Sequence, residues 1–291
     1  MIAPYWAALI ATATVAIGEF CNRRVIGWLP EDPPRPGRKL HLRPMPLAGA
    51  LIVPTILAWC IADRAWLPLA AIVVATATGF EDDRRKEHSG PIDEGGVDWR
   101  IKAVGLAIAA GLIAATVADP LVEPWFFAMA FGLTFVLTNA VNFLDNMDGV
   151  ATSLAATMLL SVGLGKPTAA WIAAAGFAAA GFLPWNWPRP RLFLGDGGAY
   201  ALGLCASYAI VHTAREEPLF LLVAAVPLVD FLQVVCARIW LAVPPWVGDR
   251  RHVTHIAHNL GVKKVLVAPL VAAITALLGV VALRGGWPFV N

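Results

Sequence analysis

Long apolar runs alternate with short polar clusters along this chain. Ten runs lie at about residues 2–20, 45–62, 65–80, 102–118, 124–142, 149–164, 168–185, 198–213, 218–240 and 265–283. Each approaches the length a helix needs to cross a hydrocarbon core. The pattern predicts an all-α, polytopic membrane protein of about ten transmembrane helices, forming one domain over residues 1–291. Five polar clusters interrupt it: RKLH (Arg38–His41), GFEDDRRK (Gly79–Lys86), NFLDNMDG (Asn142–Gly149), FLGDGG (Phe193–Gly198) and DRRHVTH (Asp249–His255).

Composition agrees with a membrane class. Hydrophobic residues make up 58% and charged residues 14%, against about 25% charged in soluble domains. The four cysteines are scattered without a CxxC pair, which supports neither a disulfide framework nor a zinc ribbon. The N-terminal run has no basic residue before it, while Arg23 and Arg24 follow it. That argues against a cleaved signal peptide.

The position of charge carries more than its net value. Eighteen of the 22 Lys and Arg residues fall in the connections after runs one, three, five, seven and nine. Arg64, Lys166, Arg215 and Arg284 take the other side. The positive-inside rule then makes the first side cytoplasmic and puts both termini outside. All five polar clusters lie on that cytoplasmic side. The membrane in question is the inner, or plasma, membrane.

Carboxylates beside lipid are costly unless they serve a site or pair with a neighbouring helix. Asp82 and Asp83 close the third run as adjacent oxygen donors suited to Mg²⁺. Asp145 and Asp148 stand three apart, so a helix would put them on one face, behind Asn139 and Asn142 at the same spacing. Asp196 lies between glycines, where a backbone can approach a phosphate; a plain turn is the alternative. His252, His255 and His258 recur every third residue beside Arg250 and Arg251. With cations for neighbours they suit an anion better than zinc, or else an interfacial basic helix. Asp230 lies within the ninth run, and an intramembrane carboxylate is a functional candidate.

Together these motifs resemble the polyprenyl-phosphate N-acetylhexosamine-1-phosphate transferase family, from Arg38 to about Leu260. GFEDDRRK is similar to GFxDDxxK, which implies catalytic or metal roles for Asp82 and Asp83 and a phosphate role for Lys86. NFLDNMDGVA is similar to NxxDGxDGLA and implicates Asn142, Asp145 and Asp148. FLGDGGAYALG is similar to FxGDxGSxxLG, making Asp196 a metal ligand with Asp82, and Phe193 a uracil-stacking residue. Asn186 stands where the family keeps a nucleotide-contacting asparagine. RKLH implies substrate roles for Lys39 and His41, and DRRHVTH for Arg250, His252 and His255. Asn146, Val150, Ala199 and Leu47–Ala50 depart from the usual residues, which bears on the sugar contacts.

The resemblance implies a Mg²⁺-dependent enzyme, with Mn²⁺ as a substitute. It would move an N-acetylhexosamine 1-phosphate, GlcNAc or a deoxy relative, from a UDP-sugar to polyprenyl phosphate with release of UMP. GFLPWN (Gly181–Asn186) is similar to the branch that initiates O-antigen and related glycans. Its partners would be the two substrates and membrane lipid, without nucleic acid; a homodimer stays open. Phospho-MurNAc-pentapeptide translocase activity is the nearest alternative. An ion-coupled transporter would call for polar residues near mid-span, and a CDP-alcohol phosphotransferase for a DGxxAR sequence that DGVAT lacks.

Overall fold

The structure, a computed structural model, describes residues 3–34, 43–87, 95–166, 169–243 and 250–285. Eleven α-helices are present among them: α1 (Trp6–Cys21), α2 (Val53–Ala62), α3 (Trp66–Glu87), α4 (Trp99–Val117), α5 (Pro124–Phe143), α6 (Val150–Gly165), α7 (Ala170–Asn186), α8 (Gly195–Ala214), α9 (Ala225–Trp240), α10 (Val253–Asn259) and α11 (Lys264–Arg284). A 3₁₀ turn, Gly49–Ile52, leads into α2, and another, Pro218–Ala224, leads into α9. Each of the ten apolar runs is thus occupied by a helix. One departure from all-α is a two-residue antiparallel pair, β1 (Glu31–Asp32) with β2 (Met45–Pro46). Phe193 lies alongside it, its N–H donating to Pro46 O at 2.9 Å.

Helix α8 is the centre. Nearly all of its residues from Gly197 to Thr213 are buried, and an all-round apolar helix must be enclosed. Helices α3, α5 and α6 pack around it, α4 lies against α3 and α5, α1 against α7, and α11 against α6. Alanine and glycine dominate α7 and the start of α8, and small residues let backbones approach. The outer faces carry the large apolar side chains: Leu9, Ile17 and Phe20 on α1, Val104 and Ile108 on α4, Val229 and Leu232 on α9, Leu266 and Leu277 on α11. Such a belt fits a lipid solvent. Among the described residues, four helical segments are long and apolar enough to cross a membrane, Trp99–Val117, Pro124–Phe143, Pro218–Trp240 and Lys264–Arg284. Helices α1 and α6, at 16 residues, and α7, at 17, fall short of the roughly 20 that span the core upright.

The short connections meet at one end of the bundle. Trp171 N–H donates to Asp63 Oδ2 at 2.8 Å, and Lys166 pairs with Glu217 at 2.6 Å. Arg215 takes both oxygens of Glu123 at 2.9 Å, donates to Val117 O and stacks on Phe126. The polar clusters gather at the other end.

Candidate active site

Helix α3 runs past its apolar stretch to Glu87, so Asp82 and Asp83 stand inside the helix and not at its end. Asp83 faces the first turn of α8. Its Oδ1 accepts Asp196 N–H and its Oδ2 accepts Gly197 N–H, each at 3.0 Å. The Asp145 carboxylate lies near the Gly195 N–H. A helix start leaves N–H groups without intrahelical partners and carries partial positive charge. Two carboxylates from other elements cap this one. Burial pushes the Asp145 carboxyl well above the ordinary range, reinforced by Asp196 and Asp83 and opposed by the Gly195 N–H.

The approach of α3 to α8 depends on Gly79. A Cβ there would lie 2.6 Å from Gly197 N and closer still to the Asp196 carbonyl. On another flank, a Cβ on Gly198 would lie 2.7 Å from Gly49 Cα.

Asp82 and Asp196 complete the cluster. Asp82 is fully buried. Its Oδ2 pairs with Lys86 Nζ at 2.5 Å and Lys102 Nζ at 3.2 Å, and its Oδ1 accepts Val97 N–H at 2.7 Å. Asp196 Oδ2 meets the same ammoniums, at 3.0 Å and 3.9 Å, and its Oδ1 accepts Asn142 Nδ2–H at 3.0 Å. Two carboxylates thus share two ammoniums, which is how buried charge becomes tolerable.

The spacing argument for Asp145 and Asp148 does not hold. Helix α5 ends at Phe143, and residues 144–149 form turns before α6. The Asp145 N–H returns to Asn142 O, Asn146 Nδ2–H to Phe143 O, and Gly149 adopts φ 72°. Asp, Asn and Gly offer the backbone turn bonds that compete with a helix. Asn139 leaves the stripe as well, its amide bonding Phe135 O one turn back. Asp148 points away and pairs with Lys264 at the start of α11, at 2.8 Å. The same turn holds α10, since Thr254 Oγ1–H donates to Asn146 Oδ1 at 2.7 Å.

Asp230 on α9 organises the histidine segment. Its Oδ2 lies 2.8 Å from His252 Nδ1, and its Oδ1 accepts Val253 N–H at 2.7 Å. His252 is buried, edge-on to Phe143, with the His255 ring 6.3 Å away. Burial, then His252 and Arg250, hold His255 below its ordinary pKa. Arg250 is exposed. His258 is exposed and its ring bonds Val262 O. The three histidines therefore do not act as one row.

Asn186 is 2% exposed, its oxygen accepting Thr152 Oγ1–H at 2.9 Å and its amide donating to Leu192 O at 3.0 Å. Both groups are engaged within the protein, so the residue fastens the segment that carries half-buried Phe193. Lys39 and His41 lie outside the described residues. Lys102 was not singled out by its motif. A lysine in the first turn of α4 opposes the helix dipole, and that signal alone points to a nearby anion.

The stretch at residues 65–214 matches the model of glycosyl transferase family 4. The chain is 26% identical to the decaprenyl-phosphate N-acetylglucosaminephosphotransferase of Mycobacterium leprae, over 86% of this chain and 74% of that protein. It is 27% identical to the enzyme of the same name from Mycolicibacterium smegmatis, over 77% and 68%. It is 28% identical to the phospho-N-acetylmuramoyl-pentapeptide-transferase of Chloroherpeton thalassium, over 75% and 71%. The matched stretch runs from the start of α3 to the end of α8 and so contains Asp82, Asp83, Asn142, Asp145 and Asp196; the chain belongs to glycosyl transferase family 4.

Proposed function

We propose that this multi-pass membrane protein transfers an N-acetylhexosamine 1-phosphate from its UDP-sugar to polyprenyl phosphate, releasing UMP. The observation that carries the reading is the convergence of Asp82, Asp83 and Asp196 with Lys86 and Lys102, from three helices, at one end of the bundle. Lys86 and Lys102 would hold the anionic diphosphate and the incoming lipid phosphate. A lipid phosphate is already acidic, so positioning and electrostatics supply most of the rate. Asp83 keeps α8 seated through its two N–H bonds, and Asp82 orients the ammoniums. Arg250, His252 and His255 would face the sugar or its phosphates, with Asp230 fixing the His252 ring.

Asp82 and Asp196 would hold Mg²⁺, or Mn²⁺ in its place. Both carboxylates reach the same Lys86 ammonium, at 2.5 and 3.0 Å, and one or two carboxylates are the protein share that Mg²⁺ takes when substrate phosphates supply the rest. Among the described residues no three His, Cys, Asp or Glu side chains form a ready cage. When bound, the ion would neutralise charge on the diphosphate. The reading extends to ten membrane crossings, both termini outside, with the site at the cytoplasmic face of the inner membrane. The basic residues favour it, since they collect at the end that holds the carboxylates. Cysteines placed at Glu87 and Glu216 should label from opposite sides; labelling from one side would refute the arrangement.

The activity is tested in membranes with a panel of UDP-sugars, following UMP with and without polyprenyl phosphate and Mg²⁺. UDP-GlcNAc or a 6-deoxy analogue should support release and UDP-glucose should not, because a site built for an acetamido group leaves polar groups unpaired without it. Preference for UDP-MurNAc-pentapeptide would shift the assignment to the other activity named among the relatives.

A further inference from the structure

The last turns of α1 and α7 line a pocket of about 540 Å³ that shares no residue with the carboxylate cluster. Its walls are Ala16, Glu19, Phe20, Arg23, Trp185 and Arg191. Below it the two helices are strapped together, Thr12 Oγ1–H donating to Gly181 O at 2.9 Å.

The pocket has a charged side and an apolar side. Glu19, 8% exposed, pairs with Arg23 at 2.5 Å. Arg191 is exposed and its guanidinium makes no bond among the described residues. Its position is nevertheless set, since its backbone N–H donates to Trp185 O at 2.8 Å. The buried Trp185 indole N–H is also without a partner among the described residues. Two arginines against one carboxylate leave the pocket with one net positive charge. Beside them Phe20, 62% exposed, continues the apolar outer face of α1 that Ile17 and Leu9 begin. Cationic donors at the foot of a lipid-facing helix suit a phosphate whose chains lie along that helix; basic pockets between membrane helices take anionic head groups in this way.

We propose that this pocket binds the phosphate of an anionic lipid, with Arg191 and Arg23 as its charged contacts and Phe20 against the chain. Two lipids carry that chemistry, a phosphatidylglycerol-type diester and a polyprenyl monoester. The proposal stands apart from the transfer reaction: polyprenyl phosphate held at the carboxylate cluster does not depend on Arg191, so only the Arg191-dependent share of retention reports this pocket.

The full-length protein, purified in neutral detergent, is examined by native mass spectrometry with phosphatidylglycerol, undecaprenyl phosphate, phosphatidylcholine or inorganic phosphate. The wild type should retain an anionic lipid in preference to phosphatidylcholine. Arg191→Gln should weaken that retention roughly tenfold, the value of one charge-assisted hydrogen bond. Arg191→Lys should keep much of it, and Glu19→Gln, which releases Arg23, should tighten it. Displacement of phosphatidylglycerol by undecaprenyl phosphate would support the proposal and identify the monoester as occupant; the reverse order would support it with the diester. Equal retention of phosphatidylcholine, binding of inorganic phosphate with no lipid, or unchanged retention in the Arg23→Gln/Arg191→Gln double variant would overturn it. Melting curves in phosphatidylcholine confirm that each variant is folded before its retention is compared.

Discussion

Gly79→Ala tests how the site is built, because it adds a single methyl group and no chemistry. The new Cβ would stand 2.6 Å from Gly197 N, where ordinary contact begins near 3.4 Å, so at least about 0.8 Å must open between α3 and α8. The atoms it meets are backbone and cannot rotate aside. The first turn of α8 must move, carrying Asp196 with it. The 3.0 Å bonds from Asp196 N–H and Gly197 N–H to Asp83 would stretch toward about 3.8 Å, beyond useful hydrogen-bond length. Overpacking of this kind costs about 1–3 kcal/mol, against at most about 1 kcal/mol regained from the better helix propensity of alanine. A shift near 1 Å at reacting groups costs about 100-fold in rate. UMP release in membranes and the Tm in detergent should both fall. Gly111→Ala is the control: nothing lies within 4 Å of its Cβ, so that variant should be as stable or slightly more so, with unchanged turnover. If Gly79→Ala turns over within about threefold of wild type, the close seating of α8 on α3 has no part in transfer.

Asp196→Asn should abolish UMP release while leaving a folded protein, since the amide fills the same space; near-normal turnover at ordinary Mg²⁺ would remove Asp196 from the site. Lys102→Met leaves buried Asp82 with Lys86 as its only lysine partner, and should lower turnover by roughly 10- to 100-fold, the worth of a charged hydrogen bond of about 1.5–3 kcal/mol; wild-type rates would make Lys102 a packing residue. His255→Ala should reduce turnover far more than His258→Ala, whose ring is exposed and occupied with Val262 O, and equal effects would contradict the distinction. His255 is held below its ordinary pKa, so the folded state resists a proton that the unfolded chain accepts, and stability is lost as pH drops below about 6.5. His255→Gln should flatten that part of the Tm-against-pH curve; an unaltered slope would mean that another group governs it.

What was legible in the sequence were features set by local pattern. Apolar runs give the helices, and the bias of Arg and Lys separates the two ends: the Arg215–Glu123 and Lys166–Glu217 contacts share one end, the carboxylates the other. The clusters GFEDDRRK, NFLDNMDG and FLGDGG meet as their acidity suggests. What was not legible depended on distant partners. Lys102 looks like one basic residue among many until α4 sets it beside Asp82. Asp145 and Asp148 have helical spacing, yet the turn bonds of Asn142, Asn146 and Gly149 prevail over it. Asn186 lies in the expected place but faces inward, because Thr152 and Leu192 O claim its amide. The pairing of β1 with β2 rests on two residues each and carries no periodic signal.

The glycine seams on either side of the first turn of α8 also restrict how this scaffold can diversify. A side chain at 79 would strike the backbone of residues 196–197, and one at 198 would strike residue 49. If the chain transfers a sugar phosphate as proposed, change in donor choice would fall to side chains away from these seams, such as those of α10. An engineer seeking a new sugar would do best to randomise around His252–His255 and leave the seams untouched, and a library aimed at residues 195–198 should return mostly dead clones.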